Sequence, residues 1–218
     1  MSETPNSIPF ESLRVERLKS HHLPILNNFV CRENDLKDFL VNDSLKNQTD
    51  RFSSTVLVFF EGTLVGYFTL INDCIDKKVV QRRDGIKHYR YQSYPALKVA
   101  RLATNKVHEG RGIGTHMLSM VYIAYTNISD YSGCRFITVD AKIASQGFYE
   151  KFGFQRAKGI KKSVLKTPNT LLCNILHFLL LKICNEREED KEIVPMYIDY
   201  HKILESNQPT ERQLIISP

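Results

Sequence analysis

The stretch ARLATNKVHEGRGIG, from Ala100 to Gly114, decides the fold because a strand pattern runs through a glycine-rich turn into a helix. The apolar run Ala96–Thr104 is typical of a buried strand, and Gly112–Ile128 places apolar side chains on one helical face. Glycines let the backbone approach a ligand closely, and the free N–H groups and dipole of a helix N-terminus attract anions. The stretch therefore predicts a phosphate-binding turn between a strand and a helix.

The turn itself, Glu109–Thr115 with the sequence EGRGIGT, differs from two common nucleotide-binding motifs. No Gly-Lys-Ser/Thr follows the glycines, so the turn is not a P-loop, and the last spaced glycine of a dinucleotide fingerprint is missing. The ligand should therefore be a nucleotide-bearing molecule of another kind.

The flanking sequence predicts a sheet of mixed direction with helices around it. The β-α-β-α order after Ala96 makes part of the sheet parallel, whereas two β-branched runs joined at Glu61-Gly62-Thr63 indicate an antiparallel hairpin. Between them, Asp73–Tyr94 is a long basic excursion that could hold its own hairpin. The other predicted elements are strands at Leu13–Leu18, Phe136–Asp140 and Val194–Ile203, a helix at Glu33–Lys46 and a helix that ends at Gly153.

The chain has 218 residues, of which 42% are hydrophobic and 25% charged, as expected for a globular protein. We expect one domain over residues 1–218, with an inserted basic and apolar segment at about 159–193. The N-terminus carries neither a signal peptide nor a lipidation motif, so we expect a cytoplasmic protein without membrane association. The five cysteines form no CxxC pair, which argues against disulfides and a zinc site, and we expect them to be mostly buried thiols.

The net charge of +6 is concentrated in two basic runs, within residues 77–90 and 156–166. Such runs can attract polyanions, and their simpler interpretation is that of solvated loops. After the second run, Leu171–Ile183 is apolar on nearly all sides but too short to span a bilayer, which needs about 20 residues. It is either a buried helix or a partner-binding surface.

Two blocks of the sequence resemble the GNAT superfamily of acyl-CoA-dependent N-acetyltransferases. Arg101–Thr115, RLATNKVHEGRGIGT, is similar to its motif A, whose signature is Gln/Arg-x-x-Gly-x-Gly/Ala, and Val139–Phe154, VDAKIASQGFYEKFGF, is similar to the next block. The blocks stand in the family's order, about one βα unit apart. The resemblance implies an α/β (α+β) fold with a mixed, mostly antiparallel central sheet, one parallel splayed pair and flanking helices.

Two positions depart from the family pattern. Glu109 stands where the signature has Gln or Arg, and Lys142 stands where Asn is frequent ahead of the tyrosine. The turn would bind mainly through backbone N–H groups, so Glu109 should not abolish binding. Side-chain contacts of these two residues cannot be carried over from the family.

One subset of the family, the tRNA-acetylating toxins of toxin–antitoxin pairs, resembles the chain further. Its Phe-x-Cys-Gly…Leu-x-x-Phe-Leu pattern is similar to Phe29-Val30-Cys31 and Leu36–Leu40, with Arg32 in place of the glycine, and Gly66–Leu70 fits as well. The likeness covers roughly residues 13–157 and the last strand, whereas residues 159–193 have no counterpart.

The resemblance also implies an acetyl-CoA site. The pantetheine arm would lie along the backbone of Leu102, Ala103 and Thr104. The residues implied to hold the pyrophosphate are Arg111, Gly112, Ile113, Gly114 and Thr115. No metal is implied.

Tyr149 matches the family's tyrosine that donates a proton to the leaving sulfur, and a phenol of pKa ~10 suits a thiolate of pKa ~8.5 or above. Its simpler interpretation is a tyrosine packed on a helix. A general base is not selected by the sequence, because each nearby candidate also has an ordinary structural explanation. Those candidates are His108, Glu109, His116 and Asp140. Cys31 is interpreted as a structural thiol and not as a nucleophile.

We therefore expect an acetyl-CoA-dependent N-acetyltransferase in which an amine of unidentified nature attacks the thioester directly. Two alternatives stay open: toxin-like acetylation of the α-amine of aminoacyl-tRNA, with the basic runs along the phosphates, and a non-catalytic acetyl-CoA-binding interaction module. The expected partners are acetyl-CoA and an amine acceptor, and the sequence leaves tRNA and a homodimer open.

Overall fold

The computed structural model describes residues 7–158 and 193–207, and these form a seven-stranded sheet in the order β1-β2-β3-β4-β5-β7-β6. The strands are β1 Leu13–Arg17, β2 Ser54–Phe60, β3 Thr63–Asp76, β4 Ser93–Thr104, β5 Phe136–Lys142, β6 Gln155–Arg156 and β7 Ile193–Ile198. Neighbouring strands are antiparallel except β4 and β5, which are parallel. The predicted mixed sheet with one parallel pair is confirmed.

Six α-helices lie around this sheet in the described part of the chain. They are α1 Leu23–Leu26, α2 Asn34–Asp38, α3 Ser44–Thr49, α4 Ile113–Ser129, α5 Ile143–Lys151 and α6 Tyr200–Asn207. A single π-helical turn, Phe39–Asp43, joins α2 to α3, so the helix expected at Glu33–Lys46 is present in three consecutive pieces. Short 3-10 turns stand at Phe10–Ser12, Ser20–His22 and Lys106–His108.

The sheet separates two apolar clusters. On one face, α4 and α5 pack on the sheet through buried residues such as Val99, Met117 and Tyr149. On the other face, the helices from α1 to α3 bury Phe29 and Leu40 against the β2–β3 hairpin. The sheet is therefore covered on both faces, which fixes the orientation of each strand by the apolar side chains that it buries.

The hairpin turn between β2 and β3 has the predicted position. Glu61 and Gly62 both have positive φ, +48° and +77°, as two-residue hairpin turns of the right twist require. The next connection is shorter than expected, because Asp73–Asp76 still pairs with Ser93–Ala96. The basic excursion is therefore the 16-residue connection 77–92 at the end of a long β3–β4 hairpin.

Two expectations are wrong. The strand expected at Val194–Ile203 ends at Ile198, and α6 begins at Tyr200 because Asp199 caps it, its Oδ1 accepting the Lys202 N–H at 3.2 Å. The cysteines are also less buried than expected among those described, since Cys74, on the extended hairpin, is exposed and Cys31 and Cys134 are half-buried.

In residues 7–158 and 193–207, no helix has the length and apolar character needed to cross a membrane. The apolar run Leu171–Ile183 lies outside the described residues, as does most of the segment 159–193.

Candidate active site

The centre of the sheet opens into a cleft. β4 and β5 pair only from Ala96 with Phe136 to Val99 with Val139, after which both strands continue without pairing to each other. The β3–β4 register shifts beside Val99, so Ala100 has no partner in the ladder and forms a bulge. A bulge bends and twists its strand, which explains why the two strands separate at this level.

The three residues expected to hold a pantetheine arm lie on the β4 side of this cleft. Leu102, Ala103 and Thr104 pair with β3 along one edge of β4. Within the described residues, no strand pairs with their other edge, which faces the cleft. An extended ligand can therefore hydrogen-bond to this edge as an additional strand would.

The glycine turn lies at the open end of the same strand. Gly110 and Gly112 have positive φ, +73° and +85°, which other L-residues adopt only with strain, and Gly112 is the N-cap of α4 without a side-chain cap. The N–H groups of Ile113, Gly114 and Thr115 belong to the first turn of α4 and have no intrahelical acceptor. Backbone donors and the positive end of α4 thus converge on one position, which fits a pyrophosphate.

Gly114 joins the separate parts of the site. A methyl group on its Cα would lie 3.4 Å from the Phe148 ring of α5 and 3.9 Å from Oγ1 of Thr104 on β4. The start of α4, the end of β4 and α5 therefore meet at one residue that has no side chain. The structure brings together the turn, the strand and the helix that the two sequence blocks predicted.

The Arg111 side chain contacts an aromatic ring of β2. The guanidinium carbon lies 5.5 Å from the centroid of the Phe60 ring, a cation–π contact, and the Arg111 carbonyl accepts the Ile8 N–H at 3.0 Å. The N-terminal residues at Ile8 thus lie against the turn.

Tyr149 lies on α5, in the apolar cluster that also contains Leu102. It is 5% exposed, with the Phe148 and Phe154 rings centred 5.1 and 5.4 Å from its own. Burial raises the pKa of the phenol well above its ordinary value, since an apolar environment disfavours the phenolate. The hydroxyl therefore stays protonated at neutral pH, and the same shift makes it a weaker acid than an exposed phenol.

The two carboxylates considered as general bases are engaged in ion pairs. Glu109 Oε2 accepts from Arg32 Nε at 2.6 Å and lies 2.5 Å from Arg32 Nη2. Asp140 Oδ2 lies 2.6 Å from Lys98 Nζ. Both carboxylates are thus held by cations of the chain, and neither contact identifies a general base.

The two histidines considered as bases differ from each other. His116 Nε2 lies 2.8 Å from the Ile8 carbonyl, which holds the imidazole in a structural contact. His108 has a lowered pKa, through burial and then the nearby Arg111 charge, and its buried Nδ1 has no hydrogen-bond partner among the described residues. Neither histidine is therefore identified as a general base.

Lys142, the second departure from the family pattern, is also accounted for by contacts that the sequence did not reveal. Its Nζ donates to Glu33 Oε2 at 2.9 Å and to Asp35 Oδ1 and Oδ2 at 2.7 and 2.8 Å. The Arg32–Glu109 pair was also missed, although the sequence carried a signal for it. These two residues have opposite charge, and both depart from the family pattern.

In the described part of the chain, one group of side chains lies close enough together to hold a metal ion. It consists of Glu16, His21 and His22. His22 Nδ1 accepts the Lys19 N–H at 3.0 Å, and Nε2 lies 3.0 Å from Glu16. A neutral imidazole that accepts at Nδ1 carries its proton on Nε2, so this arrangement is a hydrogen-bonded one that does not present Nε2 to a metal.

Comparison with known proteins agrees with this geometry. Residues 53–156 match the family model described as an acetyltransferase (GNAT) domain. A tRNA-acetylating toxin of Mycobacterium tuberculosis is 25% identical over 131 residues, which are 60% of this chain and 78% of the toxin.

Several solved structures share the fold. AtaT in complex with acetyl-methionyl-tRNAfMet has a TM-score of 0.64 and 21% identity, covering 69% of this chain and 91% of its own. A tyrosine-to-phenylalanine mutant of KacT has a TM-score of 0.67 and 18% identity, covering 89% and 99%. Another such mutant, of the AtaT toxin bound to acetyl-CoA and the C-terminus of the antitoxin AtaR, has a TM-score of 0.61 and 17% identity, covering 90% and 99%.

The matched family model spans the β4–β5 cleft, the glycine turn and α5, which are the parts that the sequence blocks predicted. Residues 53–156 thus match an acetyltransferase (GNAT) domain, and this match together with the tRNA-acetylating relative supports acetyl-CoA-dependent N-acetyltransferase activity.

Proposed function

We propose that acetyl-CoA binds in the β4–β5 cleft, with its pantetheine arm along Leu102–Thr104 and its pyrophosphate on the N–H groups of Arg111–Thr115. The observation that carries this proposal is the unpaired edge of β4 leading directly to the uncapped N-terminus of α4. The strand edge offers alternating donors and acceptors to an amide-containing arm, and the helix start offers several donors to two phosphates.

The chemistry proposed for this site is direct transfer. Bound acetyl-CoA supplies a thioester, whose carbonyl carbon bonds to the acceptor nitrogen while the carbon–sulfur bond breaks. Tyr149 gives its hydroxyl proton to the departing thiolate and regains a proton from solvent, and the proton lost by the amine goes to solvent. An α-amine with a pKa of about 8 is partly unprotonated at neutral pH, so no dedicated base is required.

A conservative replacement tests the role of Tyr149. Tyr149→Phe removes only the hydroxyl, so we expect kcat to fall by about 10²-fold or more while the Kd for acetyl-CoA changes less than about threefold. Steady-state thiol release and calorimetric titration measure the two quantities. Turnover equal to that of the wild-type protein would rule out the role.

For the acceptor, we propose the α-amine of aminoacyl-tRNA. The curated relative is a tRNA-acetylating toxin, and the AtaT neighbour is complexed with an acetylated aminoacyl-tRNA. This chain adds its own support in the connection 77–92, which carries six Lys or Arg residues and a single acid, Asp84.

The connection 77–92 directs its charges in a way that suits a polyanion. Asp84 is turned inward, where its Oδ2 accepts from the Tyr197 hydroxyl at 3.0 Å and from Gln155 Nε2 at 2.8 Å. The exposed side chains of the connection are the cationic Lys78, Arg82, Arg83, Lys87 and Arg90, together with Ile86, His88, Tyr91 and Gln92. The cations can contact phosphates, and the exposed ring of Tyr91 can stack on an unpaired base.

Hydrogen bonds hold this connection in one conformation. The Gln81 N–H donates to the Tyr197 hydroxyl at 2.7 Å, the Gly85 N–H to Asp199 at 3.1 Å, and the Ile86 N–H to the Tyr94 hydroxyl at 2.9 Å. An anchored basic surface has less conformational entropy to lose on binding than a free loop has. The simpler interpretation of the connection 77–92 is a solvated loop without a ligand.

Salt dependence distinguishes aminoacyl-tRNA from a small amine or peptide amine. Binding of a polyanion releases counterions, so acetylation of charged tRNA should fall by at least about tenfold between 50 and 200 mM salt, whereas acetylation of spermidine should fall far less. Labelled acetyl-CoA measures both rates. Equal salt dependence for the two acceptors would contradict the tRNA proposal, and absence of transfer to any amine would favour the non-catalytic module.

A further inference from the structure

The two sides of the acetyl-CoA cleft are not joined by backbone pairing beyond Val99 and Val139. Side chains must therefore set the distance between the end of β4 and the start of α5. On the face of the sheet covered by α4, the Phe148 ring of α5 lies next to Gly114, 3.4 Å from the position that a Cβ on this glycine would take. On the opposite face, the segment Arg32–Asp35, which leads into α2, makes charged contacts with both sides.

Contacts with the β4 side come from the first part of this segment. Arg32 pairs with Glu109 in the turn, and two positions earlier the Val30 carbonyl accepts the Lys106 N–H at 2.7 Å. The Arg32 side chain is 73% exposed, so its ion pair contributes at most about 1 kcal/mol and is weakened by salt. This side of the connection is the weaker one.

The β5 side is held more firmly, by Lys142 at the end of β5. Its ammonium lies between two carboxylates, with contacts of 2.7 to 2.9 Å to Glu33 Oε2 and to both Asp35 oxygens. The Lys142 side chain is 20% exposed, which protects the group from screening.

Lys142 is also the N-cap of α5, where a lone cation would oppose the helix dipole. The first turn of α5 contains no acidic residue of its own. Glu33 and Asp35 supply two negative charges there from another part of the chain, so the cluster has a net charge of about −1 and favours the helix. The start of α5, the helix that carries Tyr149, is thus stabilised by residues of the segment Arg32–Asp35.

We propose that Arg32–Asp35 is a brace across the open end of the cleft, in which Lys142 and Asp35 are positioning residues that hold α5, and so Tyr149, in place. The proposal rests on the acetyl-CoA site and the Tyr149 role proposed above. The three positions at which this chain departs from the family motifs, Arg32, Glu109 and Lys142, all take part in the contacts of the brace.

Removal of the ammonium tests the brace. For Lys142→Met we expect kcat to fall by about 10- to 100-fold, because a shift of about 1 Å at a reacting group has effects of that size, with the acetyl-CoA Kd within about threefold. Amide hydrogen exchange in Ile143–Lys151 should become faster. Lys142→Arg should restore both quantities to within about threefold of the wild-type values.

Four further variants guard against simple unfolding. Asp35→Asn should reproduce the loss, and combining it with Lys142→Met should add little, because both changes break one contact. The neutral triple variant Glu33→Gln, Asp35→Asn, Lys142→Met leaves no buried unpaired charge, yet should keep the low kcat. Lys46→Met, which removes the exposed Lys46–Asp50 pair, is the matched control and should change nothing.

The acetyl acceptors for these rates are charged tRNA, a lysine peptide and spermidine, and the wild-type protein's fastest one is used throughout. An unchanged kcat in Lys142→Met, or an equal loss of kcat, affinity and thermal stability that Lys142→Arg fails to rescue, would overturn the brace. If Tyr149→Phe alone has no effect, the proposed chemistry fails instead. Amide hydrogen exchange in α5 tests the brace even if the protein acetylates none of the three acceptors, because unchanged exchange in Lys142→Met would also overturn it.

Discussion

Gly114 is the residue at which the site has least room for change. A methyl group there would touch the Phe148 ring at 3.4 Å, so a β-branched side chain would push α5 away from α4 and cover the first-turn N–H groups. We expect Gly114→Val to weaken acetyl-CoA binding by about tenfold or more in a calorimetric titration. Its control is Gly147→Ala on the exposed face of α5, where a methyl group meets nothing and should stabilise the helix by about 0.5–1 kcal/mol.

Residues that carry a sequence signal were predicted, and residues that depend on tertiary contacts were not. The glycine turn was recognisable because it lies between a strand pattern and a helix pattern, and Tyr149 was assigned through the resemblance to the family's second block. The ion partners of Lys142, by contrast, lie 107 and 109 residues away in sequence, at Asp35 and Glu33. No local pattern states which distant charges the fold will bring together.

Among the secondary-structure elements, the transition from β7 to α6 shows the same limit. VPMYIDYHKI was expected to be one strand because its apolar residues suit a strand, although Asp199 was a visible helix-start signal. The structure uses Asp199 twice more, as the acceptor for Arg135 Nη2 at 2.9 Å and for the Gly85 N–H at 3.1 Å. Such tertiary partners determine which of two local preferences is adopted.

Asp199 also allows a prediction about the stability that its contacts at α6 provide. Asp199→Ala removes the cap of α6 and leaves Arg135, whose side chain is only 17% exposed, without this carboxylate. We expect unfolding free energy to fall by about 3 kcal/mol in denaturant titrations. Asp199→Asn, which can still cap the helix, should lose less, and a loss below about 0.5 kcal/mol for alanine would contradict the assignment.

At the scale of the whole molecule, the order of elements was largely predictable, since alternation of strand and helix patterns after Ala96 fixed the parallel pair. The separation of β4 from β5 was implied only by resemblance, because it depends on the bulge at Ala100. Strands on both sides of residues 159–192 join one sheet, β7 lying between β5 and β6, which supports our proposal of a single domain. A homodimer stays a prediction.

Buried tyrosines predict how the whole protein responds to alkaline pH. Burial raises the pKa of Tyr67, Tyr122, Tyr125, Tyr149 and Tyr197 above the ordinary value, so they stay protonated in the folded state where the unfolded chain ionises, near pH 10. Unfolding then releases protons, so the stabilisation present below about pH 10 is lost as the pH rises above it. Thermal melts between pH 7 and 11.5 should show a steep decline above pH 10, and a flat profile would contradict the burial.

The most direct test of the account is transfer of a labelled acetyl group from acetyl-CoA to tRNA. We predict that the wild-type protein labels aminoacylated tRNA, leaves deacylated tRNA unlabelled because it lacks the α-amine, and loses this labelling in Tyr149→Phe while acetyl-CoA still binds. Binding of acetyl-CoA without transfer to charged tRNA, lysine peptide or spermidine would contradict the account.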